Sequence, residues 1–120
     1  MRILHASFLV SNLEASRRFY GDLLGLKADP GRPDLGFPGI WYDLEPGQQI
    51  HLLQLPDSDS GRIAPEHAGR DRHVALSVPN LEALSARLLD AKIPFSLSRS
   101  GRRALFCRDP DGNALEFVES

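Results

Sequence analysis

HASFLVSNLEA, residues 5–15, returns later in the chain as HVALSVPNLEA, residues 73–83, with six of the eleven positions identical. His5 matches His73, Val10 matches Val78, and the run Asn-Leu-Glu-Ala recurs whole. Each copy reads as a short apolar-rich strand passing into a helix. Leu4 to Val10 is the first strand, and Ser11 or Asn12 then serves as helix N-cap, Ser11 forming a capping box with Glu14. Leu13, Ser16, Phe19, Tyr20, Leu23 and Leu24 recur at helical spacing, and Gly25 can end the helix in a left-handed turn. In the second copy His73 to Val78 is the strand, and Asn80 caps a helix with the stripe Leu81, Leu84, Leu88 and Ala91.

Working outward, each copy is followed by further strands. Ile40 to Leu44 and Gln49 to Leu55 flank the turn Glu45-Pro46-Gly47-Gln48. Ile93 to Leu97 and Ala104 to Arg108 precede Asp109-Pro110-Asp111-Gly112, a strong turn signal, and Asn113 to Val118 closes the pattern. Residues 57–71 lack periodicity and abound in turn formers, as a connector or functional loop does. The reading is one α+β domain over residues 1–120, built from a module at 1–56, the connector at 57–71 and a second module at 72–120.

Bulk properties narrow the functional classes. A formal charge of −2 gives no electrostatic footprint for nucleic acid or an anionic membrane. No apolar run approaches the roughly 18 residues that cross a bilayer, and MRILHASFLV turns polar at Ser11 before a signal-peptide core could form. Cys107 is the lone cysteine, which rules out an intrachain disulfide and fits a reducing, cytoplasmic setting.

Strand side chains alternate between faces. His5, Ser7 and Leu9 therefore share one face of their strand, and His73, Ala75 and Ser77 share the matching face, opposite the apolar positions that suit helix packing. Ile50-His51-Leu52 aligns with Leu115-Glu116-Phe117, which places His51 opposite Glu116 in the repeat. A pseudo-twofold relation between the modules would bring His5, His51, His73 and Glu116 together. Three imidazoles and a carboxylate suit a divalent transition metal rather than calcium or magnesium, with room left for water or substrate. His67, in the connector, reads as exposed and uninvolved.

The paired strand histidines, the repeat and FCRDPDGNALEF (residues 106–117) together resemble the vicinal oxygen chelate superfamily, which spans glyoxalases, bleomycin-resistance proteins and extradiol dioxygenases. The resemblance implies two βαβββ modules forming an incompletely closed eight-stranded mixed β-barrel. It implies His5, His73 and Glu116 as shared metal ligands and His51 at the variable fourth position, holding one nickel, zinc, iron, manganese or cobalt ion per site. It further implies a homodimer with sites shared between subunits, and a small-molecule substrate. The activity it favours is a glyoxalase-I-like lyase or isomerase acting on a small oxygenated substrate through metal-stabilised enediolate chemistry, with Glu116 as the base. A non-haem iron dioxygenase, a thiol transferase and a non-catalytic antibiotic-binding protein are the alternatives. Phe106, which stands where some relatives carry a tyrosine, is a candidate substrate contact, and Arg99, Arg102 and Arg103 are candidates to hold an anionic substrate group.

Overall fold

Asn12 and Asn80 start the two helices in the same way. In the computed structural model, which describes residues 1–120, the Asn12 side-chain oxygen accepts from the Glu14 and Ala15 amides at 2.9 and 3.2 Å. The Asn80 oxygen accepts from Ala83 at 3.0 Å. Asn12, not Ser11, is thus the first cap. The equivalence extends one residue further. The Leu13 N–H donates to the Gln54 side chain at 3.2 Å, and the Leu81 N–H donates to Glu119 at 3.0 Å. Two of the orphan donors that every helix start leaves open are satisfied by the same device in both modules.

The chain divides into two compact units, Met1–Gly61 and Arg62–Ser120, each running β-α-β-β-β. The first holds β1 (His5–Leu9), α1 (Leu13–Ser16), β2 (Lys27–Ala28), β3 (Gly39–Asp43) and β4 (Gln49–Leu53). The second holds a 3-10 turn (Ala68–Arg70), β5 (His73–Val78), α2 (Leu81–Asp90), β6 (Phe95–Leu97), β7 (Ala104–Arg108) and β8 (Ala114–Glu119). Their sheets have orders β1-β4-β3-β2 and β5-β8-β7-β6. In each, the first and last strands pair in parallel and the other neighbours are antiparallel. Parallel neighbours need a crossover, and the helix supplies it.

Three local features depart from the periodicity reading. After Ser16 the first helix widens into a π-helix, Arg17–Leu23, with Leu24 N–H donating to Phe19 C=O at 3.0 Å. Gly25, at φ +76°, then ends it in the left-handed conformation that lets the Leu26 amide reach back to Tyr20 C=O at 3.0 Å. The two-residue β2 carries too little pattern to be read from sequence. In α2, Ala91 is the exposed C-cap rather than part of the buried stripe. No helix is long and apolar enough to cross a membrane.

Each unit buries the sheet face that its helix covers. In the second, Leu81, Leu84 and Leu88 from α2 lie in the core with Leu105, Leu115 and Phe117 from the sheet. Cys107 shares this core, and burial pushes its thiol up to about 12, so it stays protonated and inert. The neighbours Leu88 and Leu89 test the arrangement, because they are 0% and 67% exposed. Leu88→Ala should lower unfolding free energy by about 2–5 kcal/mol. Leu89→Ala should change it by no more than about 0.5 kcal/mol. Urea denaturation read by circular dichroism compares the two.

Candidate functional site

The β5–β8 register sets Ala75 beside Glu116 and His73 beside Ala114, so His73 and Glu116 are diagonal neighbours on one face. His73 Nε2 lies 3.5 Å from Glu116 Oε2. His73 Nδ1 lies 2.8 Å from the Asp71 carbonyl oxygen, which can only accept, so Nδ1 carries the proton. Nε2 then faces a buried carboxylate, 4% exposed. Two electron-rich atoms facing each other at this distance need a proton or a cation between them. A carbonyl-oriented histidine beside a carboxylate is also the donor chemistry that a divalent metal takes. The other carboxylate oxygen, Oε1, accepts from Arg102 Nη2 at 2.5 Å.

His73 is oriented from further out. The Asp71 carboxylate accepts from Arg62 at 2.9 Å and Arg108 at 2.8 Å. Arg108 also donates to Gly112 C=O and Pro65 C=O, at 2.8 and 2.6 Å. It thereby ties the segment before β5 to the turn after β7. That turn is built around Asp109, whose oxygens accept from the Asp111 and Asn113 amides and the Asn113 side chain. This is the physical content of the Asp-Pro-Asp-Gly-Asn motif.

The first unit repeats the placement with different chemistry. Ser7 pairs with His51 and His5 with Gln49, so His5 and His51 are again diagonal neighbours. Their rings stack at 4.0 Å and 12°, and Trp41 stacks on the other face of His51 at 4.3 Å and 7°. Gln49 Nε2 donates to Asp29 and Asp43, both at 2.9 Å, which leaves its oxygen to accept from His51 Nε2 at 2.9 Å. His51 is therefore the Nε2–H tautomer with Nδ1 bare. Burial, then the nearby His5 and Arg32, pushes its pKa below the ordinary 6.5 and keeps the ring neutral. Parallel rings hold their lone pairs in parallel planes, so a shared ion requires one ring to turn. His5, being exposed, is the one free to do so.

Each unit thus holds one pair of the four proposed ligands. Phe106 is the cross-strand neighbour of Glu116, as Trp41 is of His51, and its ring meets His73 edge-on at 5.7 Å. Arg99 and Arg102 line a cavity beside Phe106. Arg103 does not; its Nε donates to Glu119, the residue that accepts from the Leu81 N–H at the start of α2. His67, expected to be exposed and uninvolved, is half-buried. Its Nδ1 accepts from Gly69 N–H at 3.0 Å, its Nε2 meets Ser96 Oγ at 3.3 Å, and its ring packs on Phe106 at 5.2 Å. Its sequence signal, a histidine among turn formers, carries no periodicity that would reveal these contacts.

The Asp71 network predicts a pH dependence. Hydrogen bonds from Arg62, then Arg108, hold the Asp71 carboxyl well below its ordinary 3.8. A carboxylate depressed by folding contributes its full stabilisation at neutral pH and loses it as the pH falls below about 4. Asp71→Asn should lower stability at pH 7 and flatten the decline at acid pH, as read from urea midpoints across the acid range.

Comparison with known proteins places this geometry in context. The family model described as Glyoxalase/Bleomycin resistance protein/Dioxygenase superfamily matches residues 2–117. The chain is 27% identical, over 127 aligned positions, to a lactoylglutathione lyase of Haemophilus influenzae, covering 100% of this chain and 93% of that one. Among solved structures it resembles a glyoxalase family protein from Bacillus anthracis (TM-score 0.79, 23% identity, 100% and 95% of the two chains). It also resembles the trypanothione-dependent glyoxalase I of Leishmania major (TM-score 0.73, 22% identity, 99% and 86%). These structural likenesses speak to the fold.

Proposed function

The chain belongs to the Glyoxalase/Bleomycin resistance protein/Dioxygenase superfamily, and on that footing we propose that it is a divalent-metal-dependent lyase of the glyoxalase I type. The observation that carries this reading is the His73–Glu116 pair, a carbonyl-oriented imidazole whose free nitrogen faces a buried carboxylate at 3.5 Å. The full-length likeness to a lactoylglutathione lyase supports it. His5, His51, His73 and Glu116 would hold one nickel, zinc, iron, manganese or cobalt ion. When bound, such an ion supplies Lewis-acid stabilisation of negative charge developing on substrate oxygen.

The protein's own contribution is proton transfer. Glu116 takes the proton from the carbon bearing the hydroxyl of a hemithioacetal and returns it to the adjacent carbon, while the hydroxyl proton passes to the neighbouring oxygen, converting the substrate to a hydroxyacyl thioester without net gain or loss of atoms. Arg102 occupies Oε1, so Oε2 is the one oxygen left both to hold the ion and to move the proton. With a neutral His51 in the fourth place, Glu116 is the sole carboxylate of the set and must act in both halves of the transfer. Phe106 walls the carboxylate on its β7 side and limits water there.

We propose, as the resemblance implies, that the working form is a homodimer in which each site draws one pair from each subunit. Mixing a His5→Ala/His51→Ala chain with a His73→Ala/Glu116→Ala chain should then restore activity that neither shows alone.

The activity test uses chelator-stripped protein reloaded with nickel and given the hemithioacetal of methylglyoxal and glutathione. Thioester absorbance should grow, and Glu116→Gln should slow turnover by about 10²–10⁴-fold. Turnover unaffected by Glu116→Gln would contradict the assignment. So would oxygen uptake on a catechol by iron-loaded protein that makes no thioester.

A further inference from the structure

Gln49 lies beside His5 in the β1–β4 register and beside Asp43 in the β3–β4 register. Both hydrogens of its side-chain amide are taken, one by Asp29 Oδ2 and one by Asp43 Oδ1, each at 2.9 Å. Asp29 is itself anchored, since its other oxygen accepts from the Gly31 N–H at 2.8 Å. That bond, then the one from Gln49, holds the Asp29 carboxyl below its ordinary 3.8, so at neutral pH it can only accept. A half-turn of the amide would set its oxygen against two carboxylates. The two aspartates therefore fix Gln49 with its oxygen toward His51 Nε2, 2.9 Å away.

The His51 ring is thereby engaged on three sides. Trp41 covers one face at 4.3 Å, His5 covers the other at 4.0 Å, and Gln49 takes the Nε2 edge. Nδ1 is the nitrogen left over. His73 is held the other way round, by its Nδ1–H on the Asp71 carbonyl, and offers Nε2. The two units thus present opposite ring nitrogens.

The clamp belongs to the first unit alone. In the second, Ala114 stands at the place of Gln49, Arg108 at that of Asp43 and Ser96 at that of Asp29. Alanine has no amide to hold, and Arg108 turns to Asp71 instead. The place of His51 is taken by Glu116, which has no ring to orient. The amide and its two carboxylates accompany the histidine and are absent where the histidine is absent, as a device serving that ring would be.

We propose that Gln49 is a positioning residue that makes Nδ1 the metal-ligating nitrogen of His51, with Asp29 and Asp43 setting the direction of the Gln49 amide. This rests on the metal-dependent function proposed above and adds which nitrogen of the first unit meets the ion and what holds it there. A hydrogen-bond partner on the far nitrogen of a ligating histidine typically contributes about 10–100-fold to metal affinity.

The test uses chelator-stripped, full-length protein with isotope-labelled histidine, as wild type, Gln49→Met and Asp29→Ala/Asp43→Ala. Methionine keeps the length of glutamine and removes its donor and its acceptor. Before metal is added, NMR should show a solvent-protected Nε2–H on His51 in the wild type that exchanges freely in Gln49→Met. Cadmium, an NMR-active stand-in for zinc, should then couple to His51 Nδ1 and His73 Nε2 in the wild type. Nickel calorimetry should show affinity weakened by about 10–100-fold in Gln49→Met, with the number of ions per chain unchanged. The aspartate variant, which frees the amide to turn, should lose affinity in the same direction and serves if Gln49→Met fails to fold.

Cadmium coupled to His51 Nε2, or not to His51 at all, would overturn the role given to Gln49 and leave the lyase reading standing. So would nickel bound as tightly by both variants as by the wild type. A wild type that takes up neither metal would sink the lyase reading and this role with it.

Discussion

The parallel pairing of the first and last strands of each module is the constraint on which the rest depends. It forces a crossover, which the helix provides, and the helix then covers one sheet face and leaves the other open. On that open face the register sets residues of the two strands diagonally side by side, His5 with His51 and His73 with Glu116. A slip of one residue in either pairing would turn the second member of each pair into the core. The Asn caps and the Gln54 and Glu119 bonds to the next helical amide hold the helix start to the end of the last strand in both units. They thereby support that register.

On this shared scaffold the two pairs differ in readiness. His73 is fixed by a chain running from Arg62 and Arg108 through Asp71 to its ring nitrogen, and it already faces Glu116. His51 is fixed as firmly, by Gln49 and by stacking on Trp41, but its partner His5 lies parallel to it rather than convergent with it. The repeat supplies matched positions, and the surrounding residues set what each position does. The second unit carries the carboxylate and the oriented imidazole. The first contributes two neutral-capable nitrogens and an aromatic platform.

Much of this was legible in the sequence because it rests on short periods. Strand alternation put His5 and His73 on the less apolar face, and burial follows that alternation throughout β5 and as far as Phe8 in β1. The alignment of His51 with Glu116 survived because both strands sit against equivalent partners. What the sequence did not disclose depends on contacts with no periodicity. The π-helical turn arises from hydrogen bonding one residue wider than the helical repeat assumes. The roles of His67 and Asp71 depend on where an irregular segment comes to lie against β6 and β7. Arg102 and Arg103 are neighbours with opposite fates, one on Glu116 and the other on Glu119, because strand alternation carries into the end of their loop.

The central claim is that the two pairs serve one ion rather than two. The measurement that tests it most directly is the number of nickel ions bound per chain by the wild type, His5→Ala and His73→Ala, by calorimetry on chelator-stripped protein. A single shared set predicts about one tight ion per wild-type chain and its loss in either variant. Retention of a tight ion by His5→Ala, or a fractional loss in each variant that together accounts for two independent ions, would contradict it.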